Sequence, residues 1–366
     1  FFLLSKIVGA AARLYLVVLI LQTYVFNAWN IPFAVTAILS ILLVWLYTFR
    51  SGIKTIIWTD TLQALCLVAM LIVIIWQVKD KMGLDFGDMA QTLVESPHFR
   101  IFEFGDWHST QNFFKQFFSG IFITIVMTGL DQDMMQKNLS CKSLKDAQKN
   151  MYTYGFAFTP VNFLFLALGV LLLTLAAQQN IQLPTLNDDI LPMFCTSGIL
   201  GGSILIFFTI GIIAAAFSSA DSALTALTTS FCVDILGVQR EEAKRAKRTR
   251  LKVHVMISVL FVLIILAFKA VNNRSVIDAI YMIASYTYGP LLGLFVFGLF
   301  TKRNPRDKYV PYICIASPLI CLATDFLVKQ YAGYTFGYEM LMVNVGITFA
   351  GLWLSAIENG NLKIEN

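Results

Sequence analysis

Between residues 211 and 234 an otherwise oily stretch, GIIAAAFSSADSALTALTTSFCVD, carries Ser218, Ser219, Asp221, Ser222, Thr225, Thr228 and Thr229. So many hydroxyls in a membrane-length segment, with a carboxylate among them, are expensive unless they face water, an ion or each other. All are oxygen donors, the ligand type that hard cations prefer. On a helix, Ser218, Ser222, Thr225 and Thr229 follow the i, i+4, i+7, i+11 rhythm and share one face, with Ser219 about 100° around from Ser218. A weak, reversible oxygen site for a small ion crossing the bilayer is the chemistry these residues suggest.

Two further polar clusters interrupt apolar runs. TIIWTDTLQ, residues 55–63, places Asp60 about two turns into a helix. MTGLDQDMMQKNL, residues 127–139, breaks a helix at Gly129, Asp131 and Gln132. Any one buried Asp or Gln can serve simply as a bridge between helices, and Ser or Thr can bond back to the preceding turn. Three clusters on three helices point instead to a permeation path, of the kind built from broken helices around a midplane cavity. The three histidines, His98, His108 and His254, sit in or near loops, and none pairs with a nucleophile at a recognised spacing, so an enzyme is not expected.

The elements that must position these groups follow from composition. The 366 residues are 57% hydrophobic and 13% charged, against roughly 25% charged in soluble domains. About ten segments are long and apolar enough to span a bilayer, near 7–28, 31–49, 53–78, 111–130, 151–177, 199–236, 251–271, 276–301, 309–328 and 337–357. The sixth is long for one crossing. Of the 27 Lys and Arg residues, 20 fall on one set of alternate loops and 7 on the other. The positive-inside rule then puts both ends in the cytoplasm, as expected of a multi-pass protein of the plasma (inner) membrane. The basic run at 240–252 fits anionic lipid headgroups, and no nucleic acid is expected as a partner. The six scattered cysteines carry no CxxC pair and read as small buried hydrophobes. Residues 79–110 form a longer outer loop with room for short interfacial helices. The chain opens on Phe1 and enters an apolar run at once, which suggests a piece of a longer protein.

Arg13 lies a turn or two inside the boundary of the first span. It either snorkels to the interface or faces the cavity and pairs with a substrate carboxylate. Gln22, further along the same helix, could line the same pocket.

The stretches GIKTIIWTDTLQ, TGLDQDMMQKNLSCKSLKDAQKN, AAAFSSADSALTALTTSFCVDIL and YGPLLGLFVFGLF resemble, in this order, the signature stretches of the sodium:solute symporter family. That family includes sodium-coupled carriers for sugars, inositol, sialic acid, proline, pantothenate and iodide. The resemblance implies an all-α membrane fold of the LeuT type, two inverted five-helix repeats with flanking helices. The chain, 1–366, is then a single transmembrane transporter domain that begins at the third core helix, lacks the first two, and ends with two C-terminal helices. The same resemblance implies that Ala215, Ser218 and Ser219 contribute to the main sodium site. It also places Asp60 at the acid of a second site, whose accompanying hydroxyls fall on Asp221 and Ser222. Asp221 departs from the hydroxyl pattern. Asp131, with Gln132 beside it, falls at a substrate-contacting position where an amide can stand. Without the first two core helices half of each site is missing, so the chain alone is not expected to transport.

The expectation is a sodium-coupled secondary symporter for a small polar organic solute such as a sugar, inositol or sialic acid. Na+, the solute and the lipid bilayer are its partners. The rival is a membrane sensor that keeps the transporter fold and signals through a further cytoplasmic domain, against which the short tail IENGNLKIEN speaks. Oligomeric state is not legible.

Overall fold

The computed structural model describes residues 2–48, 53–240, 242–271 and 276–357. Arg50, Arg274 and Lys363, which enter the charge bias above, lie outside them. Among the described residues the helices are, in chain order, α1 (Phe2–Leu21), α2 (Phe33–Thr48), α3 (Ile53–Met82), α4 (Phe86–Glu95), α5 (Phe113–Thr124), α6 (Gln132–Leu139), α7 (Leu144–Gln178), α8 (Ile190–Thr196), α9 (Gly202–Ser230), α10 (Ala243–Val271), α11 (Val276–Phe300), α12 (Val310–Ala332) and α13 (Met340–Ser355). The sole strands described are the two-residue segments Asn304–Pro305 and Ala356–Ile357, paired antiparallel.

Each of the ten expected spans coincides with a helix. Six are long and apolar enough to cross a membrane, and a seventh joins α5 to α6 through a 60° bend. Three shorter apolar helices, Phe33–Thr48, Ser285–Phe300 and Met340–Ser355, account for the rest. The apolar residues on their outer faces are exposed. On α2, Val35, Ile38, Leu39, Leu42, Leu43 and Leu46 all face outward while Thr36, Ser40 and Thr48 are buried. That inversion of the soluble pattern suits a helix whose outer solvent is hydrocarbon. The long sixth span resolves into α9 running on into a π-helical turn, Phe231–Ile235, and the outer loop does contain a short helix, α4. None of the six cysteines forms a disulfide among the described residues. Cys195, on the short helix α8, is buried so completely that its thiol is pushed up to about 12, which keeps it an inert packing group.

The chain forms two compact units. One comprises residues 10–101 and 136–274. Its core is built from Leu168, Leu171, Leu172 and Leu175 on α7, a helical i, i+3, i+4, i+7 face, packed with Met70, Leu71, Ile74 and Val78 of α3 and Phe194, Ile204 and Phe208 of α8 and α9. Gly211 lets α9 approach α3 closely, since a Cβ there would collide with the Met70 side chain.

The other unit comprises residues 1–9, 102–135 and 275–366. Val126, Tyr288, Leu292, Leu341 and Val345 form its core. Gly289 and Gly293 bring α11 against α13 at small-xxx-small spacing; a Cβ on either would strike Asn344 or Thr348. Pro290 within α11 has no N–H, so the Tyr286 carbonyl loses its helical donor. Asn344 supplies a substitute. Fully buried, it donates from Nδ2 to the Tyr286 carbonyl at 2.9 Å and to that of Ser285 at 3.1 Å, while Ser317 donates to its Oδ1 at 2.6 Å. Asn344→Leu is expected to destabilise the protein by about 1–3 kcal/mol, the penalty of an unsatisfied buried carbonyl. Adding Pro290→Ala, which returns an N–H to the Tyr286 carbonyl, should recover part of the loss. Thermal unfolding in detergent reads both, and an unchanged midpoint for the single variant would refute this account.

Candidate functional site

The geometry of greatest chemical interest is in the unit of residues 10–101 and 136–274. α3 and α9 pack along their length; Met70 lies against the backbone at Gly211 and, seven residues further along α9, Asp60 lies against Ser218. Asp60 precedes Met70 while Ser218 follows Gly211, so the two helices run antiparallel. Ser218 Oγ donates to Asp60 Oδ1 at 2.8 Å. Ser222, one turn further along the same face of α9, accepts a hydrogen bond from Lys137 Nζ at 3.2 Å. The same ammonium lies 2.8 Å from Asp60 Oδ2. Asp60, Ser218 and Ser222 are therefore brought together, and Lys137 of α6 joins them.

Ala215 and Ser219 are half-buried on α9. Ala215 shares the Ser218–Ser222 face at i−3 and i−7, and Ser219 lies beside it. Next along the helix, Asp221 is completely buried. Its Oδ2 accepts from the Tyr47 hydroxyl at 2.8 Å, and its Oδ1 meets no hydrogen-bond donor among the described residues. A carboxylate so enclosed is costly unless other charges or hydrogen bonds compensate it. The side chains of the Asp60–Lys137 pair are about one-fifth to one-quarter exposed, so its strength lies between that of a screened surface bridge and a fully buried one.

Lys137 and Tyr47 escaped the sequence reading. Lys137 counted there as one of many loop cations; its only signal was a place within the same polar cluster as Asp131. His254 also differs from expectation. It is buried within α10, its Nε2 3.1 Å from Thr48 Oγ1 and its Nδ1 3.0 Å from Thr228 Oγ1. Thr228 was one of the hydroxyls of the 211–234 stretch, off its periodic face, and nothing local announced this partner.

The solute candidates divide between the two units. Gln22 stands in a π-helical turn that ends the first span. Its Nε2 donates to the Ile31 carbonyl at 2.6 Å and its Oε1 accepts from Thr36 at 2.5 Å. Arg13 is exposed on α1. Asp131 and Gln132 belong to the other unit. There α5 ends in a π-helical turn, Ile125–Gly129, before the 60° bend into α6. Asp131 is buried and ion-paired with Lys6 of α1, and its Oδ1 accepts the Asp133 backbone N–H at 2.9 Å. Gln132, the first residue of α6, is half-buried. A cavity of about 350 Å³ in this unit, bordered by Gln111, Gln116, Tyr286 and Asp325 among others, is lined by none of the expected residues.

Among the described residues no group of three or more His, Cys, Asp or Glu side chains is disposed to hold a metal ion. The donors that converge are hydroxyl and carboxylate oxygens, suited to a small hard cation.

Spanning helices, π-turns, a broken helix and a half-buried oxygen cluster define a multi-pass, all-α membrane protein of the broken-helix class. The sodium:solute symporter family profile matches residues 5–307, and the chain belongs to that family. The sodium/sialic acid symporter SiaT of Proteus mirabilis is 26% identical over 86% of this chain, which spans 64% of that protein's length. The sodium/sialic acid symporter NanT of Aliivibrio fischeri is 25% identical over the whole chain and 71% of its own length. A solved structure of a Na+-coupled sialic acid symporter, in a substrate-bound outward-open state, superposes with a TM-score of 0.76 at 22% identity. It covers 97% of this chain and 74% of its own, and at that identity the likeness is one of fold, the LeuT type.

Proposed function

We propose that this chain is the greater part of a sodium-coupled symporter for a small polar organic solute, and that the solute is a sugar acid of the sialic acid kind. The convergence of Asp60, Ser218 and Ser222 oxygens between α3 and α9 carries the reading. Sodium is cargo and driving ion together. Ser218 and Ser219 hydroxyls with the Ala215 carbonyl bind it on α9, and Asp60 supplies negative charge beside them. The whole chain, 1–366, acts as one transmembrane domain of an inner-membrane protein with both of its ends cytoplasmic.

For the solute, the break after Gly129 frees main-chain groups at the start of α6, where Asp131 and Gln132 stand. Arg13 and Gln22 of the other unit are further candidates for solute contact, the guanidinium matching a carboxylate by its paired N–H donors. Both curated relatives named above carry sialic acid in their names, which favours a carboxylated sugar over a neutral one. Sodium and solute together favour the closed form because each binds it better than the open one.

The full-length protein in proteoliposomes is expected to accumulate radiolabelled sialic acid under an inward sodium gradient and not under an equal potassium gradient. Accumulation of neutral sugars alone would remove the sugar-acid assignment. Uptake indifferent to sodium would remove the coupling.

A further inference from the structure

The Lys137 side chain is out of keeping with its place in the sequence. It stands on a short polar helix, α6, in a segment rich in basic residues, where a lysine ordinarily extends its ammonium into water or toward headgroups. Instead its Nζ turns onto the oxygens that α3 and α9 present, 2.8 Å from Asp60 Oδ2 and 3.2 Å from Ser222 Oγ. Ser218 completes the group by holding the second oxygen of Asp60. Carboxylate and hydroxyl oxygens are what a small monovalent cation takes as ligands. An ammonium offers the same single positive charge to the same lone pairs, with the difference that this one is covalently attached.

Charge supports the substitution. Asp221 replaces with a carboxyl the hydroxyl expected beside Ser222, so α9 and α3 bring two acids to this region. Asp221 is fully enclosed, and one of its oxygens meets no donor among the described residues. Two acids create a greater need for a permanent positive charge than one does, and Lys137 provides it from within the chain.

We propose that the Lys137 ammonium is the resident cation of the Asp60–Ser218–Ser222 cluster, filling the place of a second sodium ion. Sodium then enters by the Ala215, Ser218 and Ser219 face alone, and the Asp60 cluster takes up a mobile sodium ion only when Lys137 is removed. This inference rests on the sodium site assigned above, but its test is separate, because it reads a difference between variants.

The measurement is the number of 22Na+ ions bound per purified full-length protein by scintillation proximity. Lys137→Met, which keeps an unbranched stem as far as Cε and removes the ammonium, is expected to bind one sodium ion more than the unmodified protein. Lys137→Gln, which retains a hydrogen-bond donor toward Ser222, should show the same gain and serves if the methionine variant does not fold. The double variant Asp60→Asn/Lys137→Met should return to the original count. Equal counts in the unmodified protein and both single variants would overturn the proposal. If the unmodified protein bound no sodium and Lys137→Met bound one, the Ser218–Ser219 assignment would fall while the built-in cation would stand.

Discussion

Replacing Ser218 and Ser219 together by Ala is expected to raise the sodium concentration for half-maximal uptake by at least roughly 100-fold in the full-length protein. The estimate follows from two lost contacts to a charged ligand, each worth about 1.5–3 kcal/mol, where each 1.4 kcal/mol is a factor of about ten. Loss of Ser218 also withdraws the hydrogen bond that orients Asp60 Oδ1, so the carboxylate is freer to turn away from the ion. Neither change opens a large cavity, because each removes one oxygen from a half-buried residue. Thr209→Val is the matched control. Its hydroxyl also lies on α9, but it bonds back to the Leu205 carbonyl at 2.7 Å on a half-buried residue away from the Ser218–Ser222 pair, so its loss should leave the sodium dependence unaltered. Uptake that remains equally dependent on sodium in the double variant would end the assignment of these serines.

The second large effect concerns stability. Lys6→Met leaves Asp131 buried without its ammonium, the Asp133 backbone N–H being the remaining partner of its side chain among the described residues. Removing one member of a buried pair costs about 3–5 kcal/mol, since the remaining charge is neither solvated nor neutralised. Asp131→Asn alone should be destabilising for the converse reason, stranding the Lys6 ammonium. Lys6→Met combined with Asp131→Asn should recover most of the loss, because no isolated charge is then left. Thermal unfolding of the detergent-solubilised protein measures all three. A single variant as stable as the parent would mean that the pair is hydrated and of little consequence. The same cycle bears on the solute site: if Asp131 contacts the solute, its asparagine variant should weaken uptake beyond what its lower stability explains.

How much of this was legible beforehand varies with the range of the interaction. The ten spans could be placed because hydrophobic length is a local property, and all ten fall on helices. The break at Gly129–Gln132 was visible as polar residues and a glycine interrupting an apolar run. The Ser218–Ser222 face followed from helical periodicity alone. Asn344 was invisible, although its role follows directly from Pro290. A proline announces that a carbonyl 4 residues earlier lacks its donor, but not which residue from a distant helix will supply one. His254 was misplaced for a related reason. It stands early in α10, close to a basic run, and only the packing of Thr48 and Thr228 around it encloses the ring.

The sequence by itself determined that this is a helical membrane protein of the sodium:solute symporter family, with an oxygen-rich stripe on its sixth apolar segment. The family came from the resemblance of the four signature stretches; periodicity and composition suffice for the helices and the stripe, because each helix in lipid must satisfy its own backbone and declare its own polar face. Which polar groups meet was decided only by the tertiary structure. Lys6 finds Asp131 across 125 positions, Tyr47 finds Asp221 across 174, and Ser218 finds Asp60 across 158. Each pairing depends on how two helices are rotated and shifted against one another. Because one residue turns a helix by about 100°, a slip of a single position would have aimed the same side chains at lipid.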